Sequence, residues 1–195
     1  MRHKSIIIIA ACLLSALGAA AQESYSTGDF HVTVEAGVGI TGLQANMKQF
    51  TKNGAGALVY AEARYRLAKV PIDFGLYVSS DVIFRNSNEY DRLDFTSSNV
   101  MLTADYNWRV GKSVTAFAGC GVGMASFEWN DQVIAEDNVY LLPGGPDGTF
   151  AFMPRVGITA FNVLRLTAGY KFEERANRHA FVTIGFTFGM GRIKR

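Results

Sequence analysis

The chain has 195 residues, a formal net charge of +2 and 49% hydrophobic residues: enough for one folded domain, and too evenly charged for nucleic-acid binding through a basic surface. Cysteines occur at Cys12 and Cys120 only, so loss of the first with an N-terminal leader removes any internal disulfide. Past that leader no apolar run reaches the ~18 residues that suggest a spanning helix, so membrane insertion is expected through strands.

The leader is residues 1–21. Arg2, His3 and Lys4 form a positive n-region, Ile6 to Leu17 an apolar h-region, and Ala19-Ala20-Ala21 the small residues that precede cleavage before Gln22. Ile9-Ala10-Ala11-Cys12 resembles a lipoprotein box, but the apolar run continues through Leu13 and Leu14, which argues against lipidation. Residues 22–195 then form the folded domain. Without Arg2 and Lys4 it carries 17 basic and 17 acidic residues.

From residue 30 onward apolar residues recur with period two, the signature of two-faced strands. Eight such runs span 30–40, 57–67, 72–84, 100–110, 114–124, 150–160, 164–172 and 180–190. The first sets Phe30, Val32, Val34, Ala36, Val38 and Ile40 against His31, Thr33, Glu35, Gly37 and Gly39. The fifth, FAGCGVGMAS and the residues before it, sets Val114, Ala116, Ala118, Cys120, Val122 and Met124 against Thr115, Phe117, Gly119, Gly121 and Gly123. A dinucleotide-binding turn fails here, because Met124 and Ser126 stand where either register of that motif needs its last small residue. Across the eight runs the apolar face holds no charge and no glycine, only Ser80 and Pro154 interrupt it, and the opposite face holds the charges and ten glycines. Long links (Thr41 to Gly56, Asn86 to Ser98, Phe127 to Thr149) alternate with short turns at Lys69 to Pro71, Gly111 to Ser113 and Phe161 to Val163. The expected fold is all-β, an eight-stranded antiparallel up-and-down barrel.

Alternation alone fits a soluble lipocalin-like barrel with its apolar face inward or a membrane barrel with that face outward. Glycines weaken strands and gain nothing on a wetted exterior, whereas inside a narrow eight-stranded barrel they leave room for other side chains. Aromatic residues near the run ends (Phe30, Tyr65, Phe84, Tyr106, Trp108, Phe150, Phe152, Phe172) suit the interfacial girdles of a membrane barrel.

With leader, strands, link pattern and last strand together, the chain resembles the small outer-membrane β-barrels of Gram-negative bacteria, of the outer-membrane protein A and X type, over roughly residues 29–190. The last run, Thr183-Ile184-Gly185-Phe186-Thr187-Phe188-Gly189-Met190, resembles the terminal signal read by the barrel-insertion machinery, and departs from it in continuing through Gly191-Arg192-Ile193-Lys194-Arg195. The resemblance implies an outer-membrane location, contact with lipid and lipopolysaccharide, and a monomer without cofactor, metal or nucleic-acid partner. No peptidoglycan-binding domain is expected after the barrel.

On the lumen face Glu35, Glu62, Arg64, Asp105 and Arg155 fall at similar mid-barrel heights, with Arg66, Asp73, Arg109 and Arg165 nearer the periplasmic mouth. Opposite charges at like heights suggest a salt-bridge plug, a structural site, since buried charges need partners. Catalysis has little support. His179 sits near the outer leaflet with no Ser close by in its own strand, His31 lies near the other mouth, and Cys120 reads as a lipid-facing residue whose surroundings disfavour the thiolate. The link Phe127 to Thr149 holds Glu128, Asp131, Glu136, Asp137 and Asp147 with no Lys or Arg, but not the spacing of a calcium-binding loop. Trp129, Val133, Ile134 and Val139 to Leu142 in that link suit strand extensions above the membrane or a partner surface. The function expected is envelope-structural or surface-interacting through the loops, non-enzymatic, with a plugged lumen. A small-solute channel, a lipid-modifying outer-membrane enzyme and a secreted lipocalin-like binder remain open alternatives.

Overall fold

The computed structural model describes residues 30–43, 55–67, 70–85, 93–129, 132–135, 138–141, 148–173 and 178–192; the leader falls outside them, as do the side chains of Phe30, His31 and Phe84 and the acidic side chains of the link 127–149. The described residues form ten strands: β1 (Phe30–Leu43), β2 (Ala55–Arg66), β3 (Ile72–Arg85), β4 (Leu93–Arg109), β5 (Val114–Trp129), β6 (Gln132–Ala135), β7 (Asn138–Leu141), β8 (Thr149–Ala160), β9 (Leu164–Lys171) and β10 (His179–Arg192). Eight close into one antiparallel barrel in the order β1-β10-β9-β8-β5-β4-β3-β2, and β6 pairs with β7 as a separate hairpin. All eight runs read from the sequence are barrel strands. β4 begins earlier than its run because Thr96, Ser97, Ser98 and Asn99 are polar on both faces and leave no alternation to read, and β5 ends later because past Met124 the apolar residues Ala125, Phe127 and Trp129 fall on the opposite parity.

Closure is made by β1 on β10, in register from Phe30↔Arg192 to Leu43↔His179, and by β1 on β2. At one end the strands join through tight turns. In the β8–β9 turn Val163 N–H donates to the Ala160 carbonyl at 3.1 Å, and Phe161 and Asn162 carry φ of 55° and 57°. Two successive residues at positive φ match the sense of a hairpin turn to the strand twist, at a backbone cost for the bulky Phe161. The β8–β9 ladder runs from Ala160↔Leu164 to Arg155↔Gly169, skips Pro154, which has no N–H, and resumes with Phe152 and Phe172.

The apolar face points outward. Ile40 is 69% exposed and Leu102 66%, with Val59, Leu76, Val100, Val156, Val182 and Phe188 beside them, whereas Glu35, Glu62 and Asp105 are buried. A water-soluble barrel would show the reverse, so the lipocalin-like alternative fails. This belt has the chemistry of a surface facing lipid. Aromatic rings mark its two edges: Tyr106 and Trp108 (6.3 Å between centroids) toward the short turns, and Phe152, Phe172 and Tyr170 toward the long links.

Inside, glycines oppose large rings across the strand pairs. Tyr60 faces Gly37, Phe117 faces Gly157 and Phe181 faces Gly169. A Cβ on those glycines would stand 2.6, 2.5 and 2.5 Å from the ring atoms. Each ring lies over the bare backbone opposite, which lets strongly coiled strands pack their own interior.

Candidate functional site: the charged lumen

Parity places every lumen side chain on alternate residues, so the barrel fills in layers. Lowest is Arg66 against Asp73, a two-point pair at 3.0 Å for both Nε and Nη2. Arg109 turns to the carbonyls of Gly111 and Lys112 in the adjacent turn.

Above them the five residues expected to pair converge. The Arg155 guanidinium donates to Asp105 (Nε to Oδ1 2.9 Å, Nη2 to Oδ2 2.8 Å) and to Glu62 (Nη1 to Oε2 2.9 Å, Nη2 to Oε1 2.5 Å). Arg64 reaches Glu35 at 2.6 Å and Glu62 at 3.3 Å. Neutral donors complete the carboxylates: Tyr60 hydroxyl and Thr187 to Glu35, Thr103 to Glu62. Arg165, expected nearer the mouth, belongs to this layer, donating to Asp105 at 2.6 Å with its guanidinium carbon over the Phe117 ring, 3.3 Å from the centroid. Its Cα sits low and its long side chain climbs. Three guanidiniums and three carboxylates balance in charge, all of them buried. Each ion here has at least one opposite charge within 3.3 Å, as a charge removed from water requires.

Leu58, Tyr60, Tyr77, Met101, Met153 and Phe181 form an apolar cluster over that layer, Tyr60 stacking on Tyr77 at 5.5 Å. Higher still lies a second polar group that single-strand reading missed. Lys171 donates to Asp81 and, at 2.8 Å, to Ser79. His179 Nε2 lies 3.2 Å from Asp81 Oδ2. Ser97 donates to Glu173 at 3.0 Å, and Asn99 to Ser97 at 3.2 Å. Burial pushes the Glu173 carboxyl, just past β9, above its ordinary value. His179 thus gains acidic and hydroxyl-bearing neighbours across strands, but at 0% exposure it sits inside the wall and not on it. On the fifth strand, Asp105 lies against Gly119, Met153 and Thr103 against Gly121, and Met101 against Gly123.

No protein-family model and no curated protein sequence matches the chain. Among solved structures, Neisserial surface protein A is similar over 84% of this chain and 99% of its own, at 13% identity and a TM-score of 0.58. The fold is that of a small outer-membrane β-barrel. Two further structures are similar: the attachment invasion locus protein Ail of Yersinia pestis (15% identity, 83% of this chain and 100% of that one, TM-score 0.45) and the outer membrane enzyme PagL (14%, 81% and 99%, 0.44). In this outer-membrane barrel fold the apolar belt and its aromatic edges face outward, and the charged residues lie in layers inside.

Proposed function

We propose that the chain, freed of residues 1–21, is a monomeric integral protein of the Gram-negative outer membrane with a closed lumen. In this reading it serves an envelope-structural or surface-interaction role through its long links and catalyses nothing. The observation that carries the closed lumen is the balanced layer of Glu35, Glu62, Asp105, Arg64, Arg155 and Arg165, paired at 2.5 to 3.3 Å across the interior beneath an apolar cluster. Moving an ion past it would require breaking several buried pairs at once, each costly to open. Residues Glu35, Glu62, Arg64, Asp105 and Arg155 are the plug, and Arg165 joins them. Lipid contacts the belt, lipopolysaccharide meets the upper girdle, and the insertion machinery reads Thr183–Met190 in β10.

Planar-bilayer recording tests the closed state: the purified barrel produces no porin-sized steps, and steady high conductance by the wild type would overturn the reading. Deleting the link 127–149 while keeping the barrel tests the role, with surface attachment reduced and heat-modifiable folding retained.

A further inference from the structure

The two polar layers differ in what they lack. In the lower layer the buried atoms without a hydrogen-bond partner are donors, the Nε of Arg64 and of Arg165; in the upper layer they include two acceptor oxygens, Asp81 Oδ1 and Asn99 Oδ1. The Tyr77 hydroxyl, below them, is also without one. Charge differs likewise. The lower layer is balanced, whereas among the described residues the upper brings together two carboxylates, Asp81 and Glu173, the ammonium of Lys171, the imidazole of His179 and, below them, the Tyr77 hydroxyl.

We propose that Asp81, Glu173 and His179 bind one divalent cation of the borderline class, with Zn²⁺ the best fit. One ligand atom from each lies within 4.8 Å of the other two, and all three residues are buried. Imidazole plus two carboxylates is a donor set that Zn²⁺ takes at ~2.0–2.2 Å with four-coordinate geometry. Neighbouring ligands on such an ion stand about 3.4 Å apart by that geometry; His179 Nε2 and Asp81 Oδ2 are 3.2 Å apart. Ser97, which donates to Glu173, is the kind of outer partner that orients a ligating carboxylate.

Lys171 is the competitor. Its ammonium occupies Asp81, but it has a flexible stem and other places to rest: Ser79 Oγ at 2.8 Å and the rings of Tyr77 and Phe181 at 5.7 and 5.8 Å. Cation entry therefore moves Lys171 from Asp81 toward Ser79 and those rings, an exchange of one positive group for another on the same carboxylate.

The test is titration of ZnCl2 into chelator-treated, tag-free barrel folded in detergent micelles, followed by calorimetry and by the imidazole resonances. One Zn²⁺ per barrel binds and shifts the His179 signal but not that of His31. Asp81→Asn and His179→Gln each weaken binding by tenfold or more, on the order expected for losing a ligand or its support. His31→Ala leaves it unchanged, and Lys171→Met tightens it. Heat-modifiable migration confirms folding of each variant, and the wild-type resonance shift needs no variant at all. The site is overturned by absence of saturable uptake in the wild type, by stoichiometric uptake that survives both ligand substitutions, or by equal competition from Mg²⁺. Unchanged or weaker binding by Lys171→Met overturns the exchange.

Discussion

Arg155 is the residue on which the lower layer turns, since its one guanidinium serves two carboxylates from opposite sides. Arg155→Ala leaves the layer one carboxylate in excess, with Glu62 held only by Arg64 at 3.3 Å and Asp105 only by Arg165, and loss of one partner from a buried ion group costs ~3–5 kcal/mol. The variant inserts, but it unfolds at a markedly lower temperature in a heat-modifiability series. Arg155→Met with Glu62→Gln removes one charge of each sign and leaves Arg64 on Glu35 and Arg165 on Asp105; this double variant recovers more than half of the loss. Failure to recover would mean that packing, not charge balance, sets the cost. That Glu35, Glu62, Arg64, Asp105 and Arg155 meet at one height was legible because parity and distance from the short turns fix both face and height. Arg165 was not, because a long side chain moves its charge away from the height of its Cα. The upper group was hidden for another reason: Asp81 lies 90 positions from Lys171 and 98 from His179, and only strand register brings them together.

At the scale of the strand, glycine position was readable and glycine partner was not. Runs of Gly on one face mark the inside, but which ring covers which gap depends on pairing between strands. Two substitutions separate the cases. At Gly157 a Cβ meets the Phe117 ring at 2.5 Å and the Leu166 carbonyl on the neighbouring strand. At Gly121 it meets the flexible end of Met153 at 3.1 Å and the Thr103 methyl at 3.2 Å. Gly157→Ala accordingly lowers stability by ~1–3 kcal/mol, the usual range for overpacking, while Gly121→Ala lowers it measurably less, because the flexible end of Met153 can give way. Urea denaturation of the two variants in lipid vesicles distinguishes them; equal losses would mean that ring packing over glycine does not organise the interior. Strand ends escaped the sequence reading wherever both faces turn polar, as in β4 from Thr96 to Asn99.

For the whole molecule, the alternation of long and short links foretold the up-and-down order and the outward parity foretold the belt. Trp108, at the short-turn edge of that belt, makes the depth measurable. In a Trp129→Phe background, which leaves Trp108 as the only indole, lipids brominated near the headgroup quench its emission more strongly than lipids brominated near the bilayer centre. A quenching profile that is flat, or absent altogether, would contradict the span set by the girdles. The wall itself is not uniform around its circumference. β1 and β10 are zipped along nearly their full lengths, whereas β8 and β9 are held by a short run of pairs, a gap at Pro154 and one pair beyond it. In mechanical terms the cylinder has a tear line. Pulled from its C-terminal end, the protein resists most while β10 is stripped from its two neighbours, and yields at lower force when β9 peels from β8.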